Sequence, residues 1–221
     1  MQMKVKFSIL GFAVLLLPTH SWAQNAPGTT QAYGSNSQSP GVQGKFRYYI
    51  TETYLNPSVF TAPAFRAGIR MANPPGTGAT QYAPEWRQGS EAFGRNYGDA
   101  FAQRVTFQTA RLATGVITHE DLRYIPSSSH NALRRSLHAL TLTFVDRSDS
   151  GRPMPAFSNF AGATAAGFVG NAYLPSGFNN TTHAGQRATL QFGFTAAGNL
   201  FREFAPQMPK SVRTLFQLIA R

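Results

Sequence analysis

Arg87-Gln-Gly-Ser-Glu-Ala-Phe-Gly-Arg-Asn-Tyr-Gly-Asp-Ala-Phe-Ala-Gln-Arg-Val105 is the stretch that decides the fold class. Arg87, Glu91, Arg95 and Asp99 recur every four residues with alternating sign. That is the spacing of one helical face, and it predicts a structural ion-pair stripe. Phe93, Tyr97, Phe101 and Val105 recur at the same interval on another face and predict a core stripe. The helix is expected to run from about Pro84, a residue that starts helices well, to about Thr114. Gly89, Gly94 and Gly98 each lower its propensity by about 1 kcal/mol relative to alanine. Gly94-x-x-x-Gly98 either admits a close neighbouring helix or is simply tolerated by burial.

Working outward, apolar residues at three- and four-residue spacing continue on both sides. A helical region covers about Phe46 to Ala72; Asn56-Pro57 interrupts it and Pro63 bends or restarts it. Asn73-Pro-Pro-Gly-Thr-Gly78 is a loop by its turn residues. His119 to Ser129 forms a junction, and a helix follows from about Asn131 to Val145. Its end, Leu140 to Val145, is the nearest approach to strand alternation. Asp146 to Pro153 reads as a charged turn in which Arg147 and Arg152 pair with Asp146 or Asp149. Residues 153 to 186 carry no charge. Within them Gly162, Ala166 and Gly170 share one side of a helix and predict a helix-packing face. Two further helices cover about Arg187 to Phe204 and Pro206 to Arg221. The expected architecture is all-α, a single bundle-like domain of about five or six helices over residues 45–221.

The N-terminus has the three parts of a secretory signal. Lys4 and Lys6 are the basic region, Phe7 to Leu17 the apolar region, and Ser21-Trp22-Ala23 the small-residue cleavage site. The apolar run is shorter than the roughly 20 residues that span a bilayer. Residues 1–23 are therefore read as a signal peptide, and Gln24 to Gly44, uncharged and rich in Gly, Ser, Asn, Gln and Pro, as a disordered linker. The expected location is exported, in the periplasm or on the outer membrane.

The chain has 221 residues, no cysteine, 20 Lys+Arg, 9 Asp+Glu and a formal net charge of +11. The absence of cysteine excludes a disulfide scaffold, a thiolate metal site, a cysteine nucleophile and a lipoprotein anchor. After residue 23 every basic residue but Lys45 and Lys210 is arginine. Arginine suits fixed contacts to carboxylate or phosphate, although a codon bias gives the same composition.

Tyr82-x-x-Glu85-Trp-x-Gln-Gly89 with Phe93-Gly-Arg95 is one of four segments that occur together. The others are Glu120-Asp-x-Arg-Tyr124, Phe144-Val-x-Arg147 with Asp149-Ser-Gly151, and Arg202-Glu-Phe-x-Pro206. In this combination the chain resembles a group of uncharacterised, signal-bearing, mainly helical bacterial cell-envelope proteins. The resemblance covers roughly residues 60 to 206. It implies an exported helical protein and transfers no catalytic residue.

Enzyme signatures are weak. His119, His130, His138 and His183 contain no pair at i, i+4, and no His-Glu-x-x-His helix exists, so no metal and no cofactor is expected. Asp146-x-x-Asp149-x-Gly151 lacks the spacing of a calcium loop. No Gly-x-Ser-x-Gly elbow occurs. A periplasmic hydrolase would have to use Glu120, Asp121 and His130. Scattered basic residues in an exported chain argue against nucleic acid. The expected partners are an anionic membrane surface or an envelope polymer, and a second copy of the chain. Arg66, Arg70, Arg134 and Arg135 are the candidate anion or lipid-headgroup contacts. The preferred reading is a non-enzymatic envelope protein, structural or interaction-forming. The alternatives are that hydrolase and a small helical integral membrane protein whose span is Ala156 to Leu174.

Overall fold

Polar caps and breakers divide the chain into α-helices of 9 to 28 residues. The computed structural model describes residues 41–56, 58–72 and 84–219. They form α1 (Val42–Ile50), α2 (Ser58–Ala72), α3 (Ser90–Ile117), α4 (Ala132–Thr141), β1 (Val145–Arg147), β2 (Pro153–Pro155), α5 (Phe157–Val169), α6 (Thr181–Phe204) and α7 (Lys210–Ile219). The fold is all-α; its two short strands pair antiparallel with Asp146 opposite Met154. α1 runs into a π-helical turn, Thr51–Leu55, closed by the Asn56 N–H on Thr51 O at 3.0 Å. Asn56 Oδ1 then accepts the Ser58 N–H at 3.1 Å and starts α2. Asn131 and Asn180 cap α4 and α6, accepting from the backbone of Arg134 and His183, the usual use of asparagine at a helix start.

α3 begins later than its sequence suggests. Pro84–Trp86 is a separate 3₁₀ turn, and Gly89 at φ +94° re-aims the chain before Ser90. At the other end His119 occupies the left-handed region, φ +55°. The Glu120 N–H reaches back to Gly115 O at 2.9 Å, which makes a C-terminal cap of the type that glycine ordinarily closes.

α5 is central, packed on α3 and on α6, while α2 packs on α3 and α7, and α4 on α6. Close approach requires small residues. A Cβ on Gly162 would lie 2.9 Å from Phe107 O of α3. One on Gly167 would overlap Ala184 O of α6 and sit 2.9 Å from the Ala188 N and Cβ. Among the described residues, nine of the fifteen buried apolar ones are alanines. The uncharged stretch from Ala156 to Leu174 is not one span: α5 has 13 residues, about 20 Å at 1.5 Å per residue. Among the described residues no helix is long and apolar enough to cross a membrane.

Several expectations change. Phe93, Tyr97, Phe101 and Val105 are not the core stripe. The first three rings stack along the helix, Phe93 on Tyr97 at 6.2 Å and Tyr97 on Phe101 at 6.3 Å, and Phe93 is exposed. The buried face of α3 is instead Ala92, Asn96, Asp99, Ala100, Gln103 and Phe107. The ion-pair stripe is broken. Arg87 precedes the helix, Arg95 and Glu91 pair at 3.4 Å on the surface, and Asp99 faces inward to Arg70. The charged turn forms, but Asp149 pairs with Lys45 at 2.8 Å, and Asp146 accepts the Arg147 backbone N–H at 2.9 Å. Val42 to Gly44 are helical and not linker. The signal peptide, the rest of the linker up to residue 40 and the Asn73–Gly78 loop lie outside the described residues.

Candidate functional site

The interior is built from charges, several of them held by partners far away in sequence. At one end Glu203, fully buried, accepts from Tyr124 Oη at 2.6 Å, the Ser127 N–H at 3.0 Å and Arg135 Nε at 2.7 Å. A second Arg135 nitrogen donates to Glu203 O, and the guanidinium lies 4.6 Å from the Phe204 ring centre. Burial by itself would raise the Glu203 carboxyl. The Arg135, Tyr124 and Ser127 donors outweigh it and hold the carboxyl below its ordinary range. Arg202 lies 3.7 Å from Glu52 beside this node. Two of the four quoted segments, Glu120–Tyr124 and Arg202–Pro206, are thus clasped through Tyr124 and Glu203.

At a second node Asp99 accepts from Arg70, from Gln103 Nε2 at 2.9 Å and from Tyr173 Oη at 2.6 Å. Burial opposes its charge, but Arg70, Tyr173 and Gln103 win and lower the carboxyl. Burial and the neighbouring Asp99 push the Tyr173 hydroxyl well above the ordinary phenol range. An open groove of about 500 Å³ lies alongside, lined by Trp86, Gly94, Arg95, Gly98, Asp99 and Tyr173. Beyond the helix's own backbone, no atom of the described residues lies within 4 Å of where a Cβ would stand on either glycine.

The third node joins the end of α3 to the hairpin. Glu120 accepts from Ser158 Oγ at 2.6 Å and from its backbone N–H at 3.0 Å, and from Thr118 Oγ1 at 3.3 Å. Arg123 holds both oxygens of Asp121, at 2.9 and 2.7 Å. Lys45, buried, donates to Gly115 O at 3.0 Å and to Asp149; His119 Nδ1 is 3.7 Å from the same carboxylate. Asp146 is buried without a guanidinium hydrogen-bonded to it. Its burial raises the carboxyl to about 7, against the pull of Arg111 and the Arg147 N–H and with the push of Glu120 and Asp121.

That shift has a testable sign. A carboxyl raised in the folded state keeps its proton where the unfolded chain has lost it, so stability falls as pH rises from about 4 to about 7. Asp146→Asn is expected to match the parent at pH 4 and to exceed it at pH 8. Urea unfolding at the two pH values measures it, and an equal offset at both would mean that Asp146 does not titrate across this window.

The sequence-proposed sites are divided by the fold. Arg70 and Arg135 are engaged by buried carboxylates. Arg66 lies over the Phe194 ring at 4.4 Å and donates to Gln103 Oε1 at 3.4 Å. Of the four candidates, Arg134 is the exposed one. Gly162 and Ala166 are buried on α5, and Gly170, in the 3₁₀ turn that follows it, is buried beneath Leu174 and the Arg187 guanidinium. The oxygens of Glu120 and Asp121 are taken by Ser158, Thr118 and Arg123, and His130 is exposed. Among the described residues no cluster of His, Asp and Glu has the arrangement to hold a metal ion.

The outer surface carries the features that sequence reading missed. All nine acidic residues are described; only Glu85 and Glu91 are exposed, while Arg47, Arg87, Arg95, Arg134, Arg147 and Arg152 are. Large apolar side chains stand exposed on every helix whose side chains are described, among them Phe46, Phe60, Phe65, Phe93, Leu137, Phe168 and Phe194. On α4 the inward residues are Arg135 and Ala139, and the outward ones are Leu133, Leu137 and Leu140. The sequence signal was Arg135 itself, a charge four residues from Ala139 and opposite the leucines. Compared with known protein families, curated proteins and solved structures, the chain matches none.

Proposed function

We propose that this chain is a non-enzymatic, exported cell-envelope protein whose helical bundle rests on an anionic membrane surface. The observation that carries the reading is the inversion of charge and hydropathy. Five of the nine carboxylates are buried, and Glu52 and Asp149 are partly covered and paired, leaving exposed arginines in excess of exposed carboxylates beside large apolar side chains. Exposed apolar area on this scale is unfavourable in water, at about 25 cal/mol per Å², and marks a surface that meets something. A surface of anionic headgroups over acyl chains offers both halves of the match, cation contact and apolar burial. The secretory pattern at Lys4 to Ala23 and the resemblance to envelope proteins agree with that location.

Co-sedimentation with vesicles tests it. Binding to vesicles containing phosphatidylglycerol is expected at low ionic strength, with release as salt screens the arginine contacts. No binding at low salt, or binding that high salt leaves unchanged, overturns the reading.

A further inference from the structure

We infer that the outward face of α4 and the adjoining hairpin form the edge of the bundle that enters the lipid headgroup layer. The inference rests on the membrane-docking reading above and adds to it a place and an orientation. Leu133, Leu137 and Leu140 stand at i, i+4 and i+7, within one narrow stripe of a helix. They are 69%, 55% and 41% exposed. Four residues on, Phe144 is 52% exposed, and its ring meets Phe160 at 6.2 Å and Phe192 at 5.6 Å. The apolar surface therefore continues from α4 across to α5 and α6.

The helix is amphipathic in the opposite sense to a soluble one. Arg135 and Ala139 go inward to Glu203 and the core, and its leucines go outward with the exposed Arg134 at their flank. A helix whose apolar face lies in the interfacial plane with cations at its flank is the arrangement that binds membrane surfaces.

Charge decides the occupant. Between Asp121 and Asp146 the chain has no acidic residue. Asp146 is buried and Asp149 is paired with Lys45. What this edge exposes is Arg134 beside the leucines, Arg147 three residues past Phe144, and Arg152 at the start of the returning strand. Cations around an apolar stripe complement an anionic phospholipid surface. A second copy of the same face would bring like charges together.

The absence of cysteine makes the test clean. Single-cysteine chains Leu137→Cys and Phe60→Cys are labelled with a polarity-sensitive fluorophore and mixed with phosphatidylglycerol–phosphatidylethanolamine vesicles. Phe60 is the comparison because it is exposed on α2, which packs on α3 and α7. The probe at 137 is expected to shift to the blue and the probe at 60 to stay in water. Leu137→Glu is expected to raise the lipid concentration for half-binding by at least about tenfold. Circular dichroism should be unchanged, since the side chain is exposed. If the parent protein does not sediment with anionic vesicles, the docking reading falls and this face with it. If it sediments while the probe at 137 stays unshifted, or both probes shift alike, the face assignment alone falls. Concentration-dependent self-association with a shifted probe at 137 in the absence of lipid would make the occupant a second copy and overturn the lipid assignment.

Discussion

Glu203→Ala is expected to bring the protein close to unfolding at neutral pH. The substitution removes one carboxylate and leaves three donors around its site: Arg135 Nε, Tyr124 Oη and the Ser127 N–H. Arg135 is itself buried and loses its counter-charge. Breaking a buried pair by deleting one partner typically costs about 3–5 kcal/mol, against a total stability of about 5–15 kcal/mol for a domain. Glu203→Gln keeps the shape and one acceptor oxygen and should fall between. The penalty also has a pH signature. The folded carboxyl is lowered, so its contribution is complete above the ordinary carboxylate range and is lost as pH falls through the folded value. The gap between parent and alanine variant should therefore narrow in acid. Chemical denaturation across pH measures this, and a gap below about 1 kcal/mol at pH 7 would show that Arg135 finds another partner or water.

Gly167→Ala is the second large effect. The new methyl would overlap the backbone oxygen of Ala184 and press on the Ala188 N at 2.9 Å. Neither is the far end of a flexible side chain, so α5 and α6 must move apart along the whole crossing. Overpacking of this kind costs about 1–3 kcal/mol. Gly94→Ala and Gly98→Ala supply the contrast, because among the described residues nothing beyond the helix's own backbone lies within 4 Å of either added carbon. Each should stabilise α3 by about 0.5–1 kcal/mol through helix propensity alone. Thermal unfolding of the three variants reads the signs, and a Gly167→Ala protein as stable as the parent would mean that the α5–α6 distance is adjustable.

Periodicity made the helices readable. The four-residue recurrences around Phe93, the prolines and the asparagine start of α4 place most elements within a few residues, while α6 begins at Thr181, about one and a half turns before the expected start near Arg187. Periodicity does not say which face is inward. On α3 the aromatic face was expected in the core, yet the buried face holds Asn96, Asp99 and Gln103. Asp99 turns inward because Arg70 and Tyr173 come from elsewhere in the chain to meet it, while Gln103 donates to Asp99 and Asn96 to the Trp86 carbonyl. Arg70 is 29 residues and Tyr173 74 residues from Asp99. The same holds for Glu203, whose partners lie 68 to 79 residues away. A pairing across that separation leaves no local trace in a single sequence. The small-residue tract on α5 was legible as a place of close approach, since only the absence of side chains allows it. Its partners, α3 and α6, were not.

An interior of alanine and paired charge also sets how the fold answers to temperature. Unfolding such a bundle exposes comparatively little aliphatic surface and a good deal of polar surface, and these change the heat capacity in opposite directions. The increment per residue should lie below the usual ~12–15 cal/mol/K, so the stability curve is shallow and broad. Warming also reduces the desolvation penalty of ion pairs such as Arg135–Glu203 and Arg70–Asp99. The bundle therefore loses little of its hold on cooling and gives way gradually on heating, a thermal tolerance that comes from what its core lacks.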